Sequence, residues 1–305
     1  MQRLDYRNGS GSKAGRVTPD NFKFLAQFLK KESGLVITEE KAYLVESRLA
    51  SVVRKLGAAD LDELILAVRG AHDPNLNNDV VEAMATTDSF FFRDIRPFVI
   101  LKNAVLPRIV PAREAANAKR IRIWSAGCSS GQEPYSIAMI LKQNSALLHG
   151  LDLEIIGTDL SSEVLGKARE GIYTQFEAQR GLPIRLLVKY FTQVGEHWQI
   201  NEEIRGAVEF HRANLMGDLQ GLGQFDIVFC RNVLTYFDSA TKSAVLGRIR
   251  SMMADDGWLF VGAGETIDDL EDSFTAVEGQ RGVYAVDRAH AAAVPHAPQP
   301  MAKSA

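Results

Sequence analysis

The sequence predicts an α/β protein, in which a mostly parallel sheet with helices on both faces follows a small all-helical domain. Two observations predict this. Beyond Pro97 short β-branched runs alternate with longer helical ones, whereas the residues before it carry only helical periodicity. The first apolar run, Ile121 to Trp124, enters a small-residue turn and then a helix start, IRIWSAGCSSGQEPYS, the local pattern of a βα unit that binds a ligand on bare backbone.

The helical part reads as FKFLAQFLKKESG, EEKAYLVESRLASVVRKLG and LDELILAVRG, each closing on or near a glycine suited to a left-handed cap. DPNLNN, Asp73 to Asn78, reads as a polar turn before a short helix, Asp79 to Ala85. In the second part the predicted strands are Ile121–Trp124, Leu153–Gly157, Val208–His211, Phe225–Phe229 and Trp258–Val261. The predicted helices are Phe98–Arg113, Pro134–Leu148, Ser162–Arg169 and Ala240–Met253, and FTAVEGQRGVYAV reads as a closing hairpin. Thr174 to Arg205 breaks the alternation with a helical LLVKYF run and QVGEHWQIN, a small hairpin. Inserts of this kind beside an open sheet often recognise a macromolecular substrate.

A chain of 305 residues with a net charge of −3 has room for a sizeable core and gives no reason to expect nucleic acid as an obligate partner. No run approaches the roughly 20 apolar residues that span a bilayer, and the first residues lack the apolar core of a signal peptide. Cys128 and Cys230 stand far apart in sequence and make neither a metal pair nor a disulfide framework, which suits a reduced, cytoplasmic protein. The histidines show no HxH or HExxH spacing, so no metal site is expected.

In an open α/β sheet the ligand lies beyond the carboxyl ends of the strands. There stand Glu133 in AGCSSGQEP, Asp159 in GTDLSS, Asn214 in RANL and Asn232 in CRNVLTYFD. The turn lacks a third glycine and carries Glu133 where a phosphate needs a neutral or positive neighbour, so hydroxyls or a cation fit better than pyrophosphate. Asp159 can accept from ribose hydroxyls or simply cap the following helix. In TTDSFFFRD, three successive phenylalanines cannot share one face, so Phe91 and Phe92 read as a hydrophobic plug. Arg93, directly after the plug, is placed for a bidentate pair with a carboxylate or a plain surface ion pair. Lys41, Arg48, Arg54 and Lys55 lie on one helix, where they serve either as a solvated face or as a docking surface for an acidic substrate.

Together SFFFR, AGCSSGQEPYSIAM, GTDLSSEVLGKAREGIY, RANL, FDIVFCRNVLTYFD and VGAGET closely resemble the CheR family of chemotaxis receptor methyltransferases, from about Thr18 to Arg288. The resemblance implies a class I S-adenosylmethionine-dependent (Rossmann-like) methyltransferase domain with a small all-α N-terminal domain and an inserted antiparallel β-subdomain. In this chain that means a flexible 1–17, a helical domain 18–95, a methyltransferase domain 96–288 with its insert at 174–207, and a disordered tail 289–305. The implied activity is methyl transfer from S-adenosylmethionine, leaving S-adenosylhomocysteine, to glutamate side chains in the cytoplasmic helical domain of chemoreceptors. The enzyme is expected to be a monomer, with no nucleic-acid partner and no membrane insertion.

Carried over by motif, the cofactor contacts fall on Thr87, Ser89, Arg93, Glu133, Asp159, Asn214, Leu215, Arg231 and Asn232. Thr87 departs from the asparagine some relatives have. Tyr236 matches a substrate-positioning tyrosine, and Arg93 and Tyr236 together take the catalytic roles. The loop in TQVGEHWQINEE is shorter than in relatives that tether to a receptor's C-terminal pentapeptide, which implies a pentapeptide-independent enzyme. A glutamate nucleophile is ionised at neutral pH, its ordinary pKa being about 4.3, so no general base is required. The rival expectations are a small-molecule methyltransferase and a cofactor-binding signalling module without transfer activity.

Overall fold

The structure, a computed structural model, describes residues 17–70, 73–268, 270 and 273–286. The tail 289–305 and nearly all of the expected flexible N-terminus lie outside these. The chain divides into two compact units, Met1–Met84 and Ala85–Ala305. This division precedes the domain boundary expected at residue 95, because Phe91 and Phe92 bury in the core of the second unit.

The first unit contains α1 (Pro19–Ser33), α2 (Ala42–Leu56), α3 (Leu61–Gly70) and α4 (Pro74–Met84). Gly34 ends α1 and Gly57 ends α2 in the left-handed conformation, returning N–H groups to Lys30 and Arg54 carbonyls. Buried Leu25, Leu29, Val45, Leu49, Leu64, Ile65, Val80 and Val81 recur at helical spacing and fill the space between the helices. The expected DPNLNN turn is helical instead. Pro74 starts α4, and the Asp73 carboxylate accepts the Asn75 N–H at 2.9 Å, satisfying a donor of the first turn. Asp62 accepts from the Asn21 amide at 2.6 Å and from the Thr18 N–H at 3.2 Å, tying the start of α1 to α3. These bonds, the Asn21 one first, hold its carboxyl below the ordinary range.

The second unit opens with α5 (Arg96–Ile100), a π-helical turn at Leu101–Val105, and α6 (Leu106–Ala115). Then follow β1 (Arg120–Ala126), α7 (Gln132–Gln143), β2 (Asp152–Asp159), α8 (Ser162–Glu170), β3 (Ile172–Thr174), α9 (Gln175–Gln179), α10 (Ile184–Tyr190), β4 (Phe191–Val194) and β5 (His197–Ile200). The chain continues through α11 (Glu202–Arg205), β6 (Val208–Arg212), β7 (Phe225–Cys230), α12 (Ser239–Ser251), β8 (Met253–Val261), β9 (Thr275–Ala276) and β10 (Val283–Ala285). The helix expected over Pro134–Leu148 stops at Gln143, and Ser145–Leu148 form a separate 3₁₀ turn.

A seven-stranded sheet runs β6-β2-β1-β7-β8-β10-β9. β6, β2, β1, β7 and β8 are parallel, while β10 pairs antiparallel with β8 and β9. Alternation along β1 sends Ile121 and Ile123 to one core and Trp124 and Ala126 to the other, so both faces of the sheet are covered. The chain leaves β1 toward β2 on one side and returns to it as β7 on the other, which places a ligand crevice at their carboxyl ends. The insert makes its own three-stranded antiparallel sheet, ordered β3-β5-β4. Its β4–β5 hairpin turns through Gly195 and Glu196 alone.

Candidate cofactor and substrate site

The turn after β1 is held by β2. The Gly127 and Cys128 N–H groups both donate to the Thr158 carbonyl, at 2.8 and 2.9 Å. Gly127 has φ +71, and a Cβ there would stand 2.5 Å from Val233 Cγ2, so no other residue lets the two strand ends approach so closely. The next residues turn toward Asp159. Its Oδ2 accepts the Ser129 N–H at 2.8 Å and its Oδ1 the Ser161 N–H at 3.0 Å. Asp159 is not the cap of α8. That role belongs to Ser161, whose hydroxyl accepts the Val164 N–H. The aspartate is instead aimed by two backbone donors at the end of β2, and it stays half-buried at the crevice.

Glu133 lies in the first turn of α7. Its Oε1 accepts from the Ser125 hydroxyl at 2.8 Å and its Oε2 from Arg231 Nη1 at 2.9 Å. The Arg231 side chain is 1% exposed, and its Nη2 donates to Asp94 Oδ2 at 2.8 Å and to the Arg93 carbonyl at 2.9 Å. One guanidinium therefore pins the SFFFRD block, the start of α7 and the end of β7 together. Arg231 bridges two carboxylates, one through each terminal nitrogen. Arg93 itself donates to the Asp88 carbonyl at 3.3 Å and lies over the Phe90 ring at 5.3 Å.

Phe91 and Phe92 are buried as the plug reading expects, while Phe90 remains half-buried. Arg180 of the insert also covers Phe90, 4.4 Å from the ring centroid, and pairs with Asp88 at 2.8 Å. Thr87 offers its carbonyl to the Ser129 hydroxyl at 2.7 Å, which joins the block to the β1 turn by backbone and leaves the Thr87 side chain out of the bond. Ser89 lies half-buried in the same block.

At the far side of the crevice a residue missed by sequence reasoning dominates. Glu265, 9% exposed, accepts N–H groups from Asn232 at 2.8 Å and Gly262 at 2.7 Å through Oε2, and from Thr235 at 2.9 Å through Oε1. It holds Asn232 at φ +60 and fixes the loop that carries half-buried Tyr236. Glu265 lies in VGAGET directly after β8, so the strand-end rule applied to the last parallel strand would have found it. Asn214 accepts the Met216 N–H at 2.9 Å through its side chain, shaping the turn after β6, and Leu215 is buried.

Burial pushes both cysteine thiols well up, and so do nearby carboxylates: Asp159 and Glu133 for Cys128, Glu265 and Glu133 for Cys230. Acceptor carboxylates at the ends of β2 and β8, with Glu133 beside the β1 turn, fit the hydroxyls and cationic groups of S-adenosylmethionine better than a phosphate.

In the first unit the four cations expected on one helix separate, and Lys41 falls in the 3₁₀ turn just before α2. Lys55 pairs with Asp79 at 2.6 Å, and Arg48 donates to the Met84 carbonyl at 2.6 Å, so both serve to fasten α2 to α4. Lys41 and Arg54 are exposed.

The sequence profile described as CheR methyltransferase, SAM binding domain matches residues 87–283, and that described as CheR methyltransferase, all-alpha domain matches residues 20–85. The chain is 38% identical over 267 residues to a protein of Pseudomonas putida named chemotaxis protein methyltransferase Cher2, covering 86% of this chain and 96% of that one. It is 39% identical over 268 residues to chemotaxis protein methyltransferase 1 of Pseudomonas aeruginosa, covering the same shares of each. It is 36% identical over 270 residues to a chemotaxis protein methyltransferase of Vibrio parahaemolyticus, covering 88% of this chain and 96% of that one. Among the described residues no helix is long and apolar enough to cross a membrane.

Proposed function

The chain belongs to the CheR methyltransferase family and is an S-adenosylmethionine-dependent methyltransferase, and from that premise we propose how its own residues hold the cofactor and select a receptor glutamate. The substrate is a glutamate carboxylate on the cytoplasmic helical part of a chemoreceptor, and the product is a methyl ester. When bound, S-adenosylmethionine supplies an electrophilic methyl on a sulfonium sulfur, and a carboxylate oxygen takes it as the carbon–sulfur bond breaks.

The observation that carries the assignment of residues is the acceptor-rich crevice at the carboxyl ends of β1, β2, β7 and β8. Asp159, oriented by the Ser129 and Ser161 N–H groups, suits the ribose hydroxyls. Glu133, its charge balanced by Arg231, stands beside the turn to face hydroxyl or ammonium groups of the cofactor. Asn232, Asn214 and Leu215 line the ends of β7 and β6 and suit the adenine. The chain has no proton to remove from an ionised nucleophile, so its work is orientation and exclusion of water. Arg93, held over Phe90, orients cofactor and substrate, and Tyr236 donates to one oxygen of the incoming carboxylate. A tighter grip by Arg93 would favour the charged ground state over the charge-depleted transition state.

The two-residue turn of the β4–β5 hairpin supports an enzyme that needs no pentapeptide tether, and we take that enzyme to act as a cytoplasmic monomer. Incubation with labelled S-adenosylmethionine and receptor-bearing membranes is expected to yield alkali-labile methyl on the receptor, undiminished when its C-terminal pentapeptide is deleted. Label in a small product without receptor, or cofactor binding with no label transferred, refutes the proposal.

A further inference from the structure

We propose that the outer face of α10 is a docking surface for an acidic amphipathic helix of the receptor substrate, an inference that rests on the methyltransferase reading above. In PIRLLVKYF the helical period divides the side chains cleanly. Leu186, Leu187 and Tyr190 are buried beneath the helix, and Ile184, Arg185, Val188 and Lys189 face out. Ile184 is 70% and Val188 72% exposed, one turn apart on the same face. Single exposed apolar residues are ordinary, but two branched ones stacked on one helix and flanked by two cations make an amphipathic, basic surface. Phe176, 71% exposed, extends the apolar surface onto α9, which packs against α10.

Charge complementarity selects the occupant. Arg185 and Lys189 border the apolar pair on the same exposed side, so a helix that offers an apolar stripe edged by carboxylates matches both features. A substrate segment bearing methylatable glutamates has that chemistry. The surface is also continuous with the site. Arg180 and Gly181, just before α10, are locked onto the SFFFR block through Asp88, Phe90 and the Phe91 carbonyl. A helix seated on α10 therefore lies beside the block that carries Arg93.

The test compares the wild type with two paired variants, Ile184→Ser with Val188→Ser and Arg185→Glu with Lys189→Glu, using receptor-bearing membranes. Circular dichroism and affinity for S-adenosylhomocysteine should match the wild type, since all four side chains are exposed and only Lys189 rests on a core residue, over the Tyr190 ring. The receptor KM should rise about tenfold in each pair with kcat unchanged, and salt should weaken wild-type binding more than binding by the charge-reversed pair. A KM unchanged in both pairs, with an active wild type, overturns the docking surface alone. So does light scattering that shows a dimer dissolved by the apolar pair without change in KM, or equal wild-type binding to receptor-free anionic vesicles. A wild type that methylates no receptor overturns the methyltransferase reading, and the docking surface with it.

Discussion

Two forked arginines stand at opposite ends of the same strand, and they are built alike for different ends. Arg113 of α6 reaches the start of β7. Its Nε donates to Asp226 at 2.5 Å and its two terminal nitrogens to Asp256 at 2.8 and 2.5 Å, so every arm is satisfied. Arg231, just past the end of β7, likewise grips two carboxylates, but its buried Nε has no partner among the described residues. Arg113 binds one helix to the sheet, whereas Arg231 binds the SFFFRD block, α7 and the sheet together. The same chemistry braces the closed end of the sheet and organises the open one, and only the open one leaves hydrogen-bonding capacity unspent.

The sharpest way to break this comparison is to remove each arginine in turn. Arg113→Met and Arg231→Met should each lower the unfolding free energy by about 3 kcal/mol, because each leaves one largely buried carboxylate, Asp226 or Glu133, without its cation. Only the Arg231 variant should also lose the rise in Tm that S-adenosylhomocysteine gives the wild type. Urea unfolding with and without that ligand separates the two, and equal ligand stabilisation in both variants would show the open end to be a mere brace.

Glu265→Gln tests the same end through the β8 side. An amide cannot accept at both oxygen positions, so one of the three N–H groups faces a donor, at a cost of about 1–3 kcal/mol. Because that loop carries Tyr236, turnover should fall more than cofactor affinity, measured by steady-state kinetics against titration calorimetry. A smaller effect is expected of Asp159→Asn, which keeps one acceptor for its two N–H donors. It should weaken S-adenosylmethionine binding about tenfold, or about 1.4 kcal/mol, with little change in Tm.

The weakest effect belongs to the closed end and depends on pH. Arg122, whose Nε donates to Glu154 at 2.8 Å, holds that carboxyl below its ordinary 4.5, with Arg120 helping against the upward push of burial. A folded pKa lower than the unfolded one means the stabilisation is fully present above about 4.5 and fades as pH falls through the folded value. Glu154→Gln should therefore cost at most about 1 kcal/mol at pH 7 and flatten the acid limb of the stability curve, leaving methyl transfer untouched. Parallel acid limbs in wild type and variant would remove Glu154 from the account.

The parallel strands were legible because their apolar runs are short, β-branched and separated by helical stretches, and Asp159 was legible because it closes one of them. Glu265 stood within reach of the strand-end rule, but its bonding role was not legible, since hydrogen bonds to backbone leave no complementary residue to read in sequence. The bracing role of Arg231 was not legible for a different reason. Sequence does not say which arginine reaches the Asp94 and Glu133 carboxylates, and only the buried position of Arg231 decides it. DPNLNN misled because asparagine and proline signal a turn and a helix start equally well, and the helix won once Leu76 and Val80 had a core to enter.

Gly181 has φ +83, and a Cβ on it would lie 2.0 Å from the Phe91 carbonyl oxygen. The inserted subdomain thus joins the catalytic domain through a contact with no room for a side chain. For anyone exchanging inserts between relatives to redirect receptor choice, this position is the splice joint. A graft that brings its own residue there would lift α10 from the Arg93 block even if every strand of the new module folded correctly.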